Sequence, residues 1–164
     1  MRARKKIAVS LSWFLAVGVV SACGREKVTV ESEKGDIEVE ILKDGTSRGR
    51  AKDGTSFAVV PEGEKSLPEG FPEDVPAFPG AKVVMNSMSP DHGLMVMFKS
   101  SDAPQQIADF YKKRLHEEGW DLEQEAKVAG QHMLLAKKET RELNVLVGEG
   151  EEGAQIAVSV RTEQ

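Results

Sequence analysis

The chain has 164 residues, 40% hydrophobic and 30% charged, with a formal net charge of −5. That leaves room for one compact domain with extensions and excludes two large ones. A mean hydropathy of −0.36 excludes a polytopic membrane protein, and the single cysteine excludes an internal disulfide framework and a Cys-cluster metal site.

Residues 1–22 read as a signal peptide. Arg2, Arg4, Lys5 and Lys6 form a basic start, and an apolar run from Ile7 to Val20 follows. Crossing a bilayer core takes roughly 20 apolar residues, so this run is too short to be read as a span. It ends at Val20-Ser21-Ala22-Cys23, an aliphatic and two small residues ahead of the only cysteine. This resembles the lipobox of bacterial lipoprotein precursors. The resemblance implies cleavage between Ala22 and Cys23, a diacylglycerol on the Cys23 thiol and acylation of the new amine. Two or three acyl chains hold a protein at a membrane where one binds only marginally. The competing readings are an ordinary signal peptide cleaved at Ser21-Ala22, which leaves Cys23 free, and a segment that persists as an uncleaved anchor. Gly24, where enteric lipoproteins retained at the inner membrane tend to carry aspartate, makes the periplasmic face of the outer membrane the expected location.

Loss of the n-region cations leaves the mature chain more acidic still, which sets nucleic acid aside as a partner. Residues 23–60 form a β-rich segment behind the lipidated cysteine. Val28 and Val30, then Ile37, Val39 and Ile41, alternate with polar residues. Lys-Asp-Gly-Thr-Ser occurs at Lys43–Ser47 and again at Lys52–Ser56. Asp-Gly suits tight turns, so the repeat predicts two successive turns of a β-meander. Residues 61–80 carry Pro61, Pro68, Pro72, Pro76 and Pro79 and read as a semi-rigid connector. Phe71, Val75 and Phe78 are expected to lie against the domain that follows.

Residues 81–164 predict an α+β domain, an antiparallel sheet with one packed helix in the order β-β-α-β-β-β-β. Val83, Val84 and Met85 begin a strand, Pro90-Asp91-His92-Gly93 turns the chain, and Leu94–Phe98 is apolar on both faces, as in a covered central strand. Asp102 is expected to cap a helix with Pro104 and Gln105 in its first turn. Ile107, Phe110, Tyr111 and Leu115 form its apolar face, and Gly119-Trp120 its stop. Four further strands are expected near Leu122–Val128, His132–Lys138, Glu142–Gly148 and Ala154–Thr162. Pro76-Ala77-Phe78-Pro79-Gly80-Ala81, Ser101-Asp102-Ala103-Pro104, Phe110-Tyr111 and Gly119-Trp120 resemble a domain found in uncharacterised bacterial lipoproteins. That resemblance implies a fold and no catalytic residue.

Candidates for chemistry are few. Met85, Met88, Met95, Met97 and Met133 gather around His92, and thioether with imidazole suits Cu(I). Met95, Met97 and His92 form the candidate site for it, against the plainer reading of methionine as core filler. Met85 and Met88 are expected on opposite strand faces. His92, His116 and His132 lack metal-binding spacing and read as solvated surface residues. Glu149, Glu151 and Glu152 read as an acidic hairpin tip. Ser89, Asp91 and His92 share a turn without the motif of a hydrolase, and no phosphate-cradling loop occurs. The expectation is a non-enzymatic, lipid-anchored envelope protein with a binding or adaptor role. It has no cofactor, and its partners are the membrane, through the anchor, and an envelope protein. The alternative is a metal or small-ligand carrier.

Overall fold

The computed structural model describes residues 18–22, 25–30 and 37–163. Cys23 and most of the predicted signal peptide lie outside the described residues, whereas Ala22 ends the first strand. Among the described residues eleven strands form one antiparallel sheet: β1 (Gly18–Ala22), β2 (Arg25–Val30), β3 (Ile37–Ile41), β4 (Ser47–Ala51), β5 (Ser56–Glu64), β6 (Lys82–Ser89), β7 (Gly93–Ser100), β8 (Asp121–Val128), β9 (Gln131–Lys138), β10 (Arg141–Gly150) and β11 (Gly153–Thr162). The single helix among the described residues, α1, spans Pro104–Glu117. Neighbours in the sheet run β1-β2-β3-β4-β5-β6-β7-β11-β10-β9-β8. From β6 onward the elements follow one another as two strands, a helix and four strands. The last strand returns to pair with β7. The fold is therefore α+β, and the sheet dominates it. The β-rich segment ahead of the connector continues the same sheet through the β5–β6 pairing.

The repeated pentapeptide makes two turns of one design. The Leu42 amide donates to the Thr46 carbonyl at 2.8 Å and the Ala51 amide to the Thr55 carbonyl at 2.8 Å. The Asp44 and Asp53 carboxylates accept from the Thr46 and Thr55 amides at 2.9 and 2.8 Å. These are Asx-type turns, in which a short side chain takes the place of a backbone partner. In the meander, Glu38 pairs with Arg50 and Glu40 with Arg48 on one face. Val39 and Ile41 share the other face with Phe57 and Val59. A Cβ on Gly49 would run into the Phe57 ring, so the glycine seats the aromatic across the strand pair. β5 continues through Pro61, where its register with β6 shifts between Val59 and Glu64; a bulge tolerates a residue that cannot donate to the ladder.

α1 lies on β8, β9, β10 and β11. Ile107, Ala108, Tyr111 and Leu115 are buried under it, against Phe98, Leu134, Leu143, Val145, Ile156 and Val158. Val75 is buried at the rim of this core, with Phe71 and Phe78 packed on it, as the apolar residues of the connector predict. The Phe78 ring meets Phe110 edge-on at 5.1 Å and Phe71 meets Phe98 at 6.3 Å.

Three expectations need correction. The N-cap of α1 is Ala103, with no side-chain cap bond. Asp102 cannot serve, because its carboxylate accepts from the Ser100 hydroxyl at 2.8 Å, and Gln105 turns to Asp109 instead. Pro104 still opens the helix, where a missing N–H costs nothing. β7 is central but covered on one face only: Leu94, Val96 and Phe98 are buried under the helix side, and Met95 and Met97 face the helix-free side half-buried. His132 is buried rather than solvated, because it shares the helix-facing row of β9 with Leu134 and Ala136. The C-terminal stop of α1 forms as expected. The Trp120 amide donates to Leu115 at 2.9 Å and the Gly119 amide to His116 at 3.1 Å, a Schellman arrangement with Gly119 at φ 78°.

Candidate functional site

The helix side of the sheet is packed solid. Tyr111, Phe98, Ile107, Leu115, Leu134 and Ile156 are each no more than 2% exposed, so this part of the core leaves a ligand no room. The helix-free face carries a cleft of about 650 Å³ at the end of the strands where the β6–β7 turn and the β4–β5 turn meet.

Cross-strand register builds the cleft in rows. Ser87 of β6 lies opposite Met95 of β7, Met95 opposite Ser159 of β11, and Ser159 opposite Asn144 of β10. One row further out come Ser89, Gly93, Arg161 and Glu142. Asp53, Thr55, Asp91 and His92 complete the lining from the two turns. The Arg161 guanidinium donates to Glu142 at 2.8 Å; that carboxylate is mostly buried while the arginine is more than half exposed. The pair therefore closes the floor at the strand ends. Asn144 presents a buried Oδ1 with no hydrogen-bond partner. An unpaired buried acceptor is costly in water's absence, so this atom favours a ligand that brings an O–H or N–H donor. The chemistry on offer is polar and non-covalent: hydroxyls, one amide, an ion pair and rim carboxylates.

The structure brings together some of the residues the sequence singled out. His92 and Met95 line the same cleft. Met97 lies two residues along the same face, opposite Met85, but outside the cleft. Met88 pairs with Leu94 on the other face, so Met85 and Met88 do project apart. Met133 shares the helix-free face but sits on β9, three strands from β7. Among the described residues no three His, Cys, Asp or Glu side chains are grouped to hold a metal ion. His116 is exposed on α1, and Glu149, Glu151 and Glu152 are exposed at the β10–β11 turn. Ser87, Glu142, Asn144, Ser159 and Arg161 are absent from the sequence reading. Glu142, Asn144, Ser159 and Arg161 alternate with buried valines and leucines, and in the sequence that pattern marks only the wet face of a strand; Ser87 lies in a polar stretch of β6.

Among the described residues no helix is long and apolar enough to cross a membrane. No curated protein and no solved structure matches the chain. A family model described as START domain-like matches residues 82–160, which run from the start of β6 nearly to the end of β11 and take in the helix and most of the cleft lining, but not Asp53, Thr55 or Arg161.

Proposed function

We propose that the chain is a lipid-anchored protein of the bacterial cell envelope whose helix-and-sheet unit is a non-enzymatic binding module. The anchor rests on Val20-Ser21-Ala22-Cys23 behind a basic start and a short apolar run. The likeness of residues 82–160 to a START-like domain supports ligand binding. The observation that carries the binding role is the open polar cleft beside a packed core, with the Asn144 acceptor buried and unpartnered in its wall. Such a site recognises a small polar ligand or a polar group of an envelope partner. Two measurements test the proposal. Cells fed a clickable palmitate analogue should label the wild-type chain and not Cys23→Ala. A photo-crosslinking residue placed at Ser159 should capture a defined partner in the envelope, reduced when the chain carries Cys23→Ala. Equal labelling of both chains sinks the anchor, and capture indifferent to Cys23 sinks the envelope role.

A second reading is a Cu(I) carrier. It is favoured by one observation, that His92 and Met95 line the same cleft, with Met97 and Met85 next on that face. Cu(I) titration against a competing chelator should then show tighter binding by wild type than by the Met95→Leu, Met97→Leu double variant. Equal curves dismiss it.

A further inference from the structure

The cleft on the helix-free face sorts ligands by charge. Its lining holds three carboxylates, Asp53, Asp91 and Glu142, against one guanidinium, Arg161. Arg161 already donates to Glu142 at 2.8 Å, so its charge is matched within the wall. Asp53 accepts from the Thr55 amide at 2.8 Å and keeps its charge. Asp91 is exposed in the β6–β7 turn, with no counter-ion paired to it among the described residues. An anion entering the cleft meets this surplus of negative charge and is repelled. A flat ring has nothing to stack on, because among the described residues no aromatic side chain lines the cleft.

The wall adds an observation independent of the carboxylates, the buried and unpartnered Asn144 Oδ1. Ser159 stands opposite Asn144, and Glu142 lies two residues along β10 on the same face. All three can accept hydrogen bonds, and an ammonium, with three donors and no acceptor, matches such a set. Met95, opposite both Ser87 and Ser159, is the one apolar side chain of the lining among the described residues. It lies between Asn144 and the β6–β7 turn. Asn144 and Gly93, where that turn ends, are two strands and one residue row apart, about 12 Å.

We infer that the cleft takes an aliphatic diamine or polyamine. One ammonium sits among Asn144, Ser159 and Glu142, the methylene chain crosses the Met95 thioether, and a second ammonium reaches Asp91 and Asp53. A single ammonium on a short stem, such as the lysine side chain of a partner, fills one end only. The inference rests on the cleft being the binding site, and it names what that site selects.

The test is titration of the isotope-labelled full chain in detergent micelles, read by NMR amide shifts and by calorimetry. The probes are spermidine, cadaverine, butylamine, acetyl-lysine amide, glycerol and inorganic phosphate. Spermidine and cadaverine should shift the Ser87, Gly93 and Ser159 amides saturably and bind more tightly than the other four. Asn144→Leu should weaken cadaverine about tenfold. Asp91→Asn should weaken it about threefold; Asp91 is exposed, so this variant keeps the test open if Asn144→Leu misfolds, and circular dichroism verifies both. Glu151→Gln with Glu152→Gln, outside the cleft, should change nothing. Equal binding by all variants, or shifts spread over acidic residues elsewhere, means general attraction to an acidic chain and overturns the inference. Butylamine as tight as cadaverine overturns the two-ended fit. Tighter binding of glycerol or phosphate at the same amides also overturns it, yet leaves the cleft standing as a site. No shift by any amine up to about 10 mM overturns it too, and photo-crosslinking from Ser159 then judges the cleft by itself.

Discussion

Arg141 holds Asp74 in a two-pronged grip, Nη1 to Oδ1 at 2.9 Å and Nη2 to Oδ2 at 2.6 Å. The same carboxylate accepts from Lys138 at 2.7 Å, and the Asp74 carbonyl accepts from the Trp120 indole at 2.8 Å. Arg141 also stacks over the Trp120 ring at 5.0 Å. The proline-rich connector is thus riveted to the end of β10 and to the stop of α1 through one acidic residue.

Breaking that rivet should loosen the connector without unfolding the sheet. Bonds to charged groups contribute more than neutral ones, but Asp74 is partly exposed and screened, so Asp74→Asn should cost about 1–2 kcal/mol in urea denaturation at pH 7. Arg141 hydrogen bonding holds the Asp74 carboxyl far below its ordinary 3.8, against the opposing effect of burial. A depressed folded pKa means stability that is complete above the unfolded value and disappears as pH falls toward the folded one. The gap between wild type and Asp74→Asn should therefore be constant above about pH 5 and shrink below pH 4. A gap that widens in acid would contradict this account.

Two glycines separate backbone strain from collision. Gly119 sits at φ 78° with open space around it, and an added Cβ would meet only the end of Lys138 at 4.0 Å. Gly119→Ala should therefore cost only the left-handed penalty, about 1–2 kcal/mol. Gly93 has a similar φ of 72°, but its Cβ would run into the Val160 carbonyl of the neighbouring strand. Gly93→Ala should cost distinctly more, and its near-ultraviolet or NMR spectrum should show β7–β11 disturbed. Equal costs at the two sites would refute the collision.

Tyr111 is fully buried and its hydroxyl has no hydrogen-bond partner. Burial pushes the phenol above its ordinary pKa; the Phe78 backbone is near enough to oppose that rise without completing a hydrogen bond. Removing an unpaired buried hydroxyl is close to neutral or favourable. Tyr111→Phe should leave the melting temperature unchanged or raise it by a few degrees, whereas Tyr111→Ala should cost about 3–5 kcal/mol through the cavity it leaves. A marked loss in Tyr111→Phe would reveal a partner for the hydroxyl.

Local order was well written in the sequence, and long-range pairing was not. The strands after α1 fall where alternation in Leu143–Val147 and Ile156–Val160 puts them, because each row buries one face under the helix. The two Asp-Gly turns, the Gly119 stop and the apolar connector residues are likewise local or amphipathic signals. What escaped depends on distant partners. The Ser100 hydroxyl draws Asp102 away from the helix end, although Asp102 is a good cap by composition. The β5–β6 pairing joins the meander to the domain across the whole connector, and no periodicity reports it. The cleft is invisible for the same reason, since Ser87, Asn144 and Ser159 become neighbours only when β7 pairs with β11 and β11 with β10.

The two rims of the open sheet are unlike. At one rim β8 alternates Glu123, Glu125 and Lys127 and is kinked by a register shift between Leu122 and Gln124. Charge and bulge together discourage another strand from zipping on there. At the opposite rim stands β1, whose Ala22 faces Arg25 of β2. Cutting the chain after Ala22, as the lipobox reading requires, would strip β1 from the sheet and leave β2 as its selvedge, its amides and carbonyls unsewn within a few residues of the lipid. Maturation would then do more than tether the protein. It would open a seam beside the membrane that the precursor keeps closed.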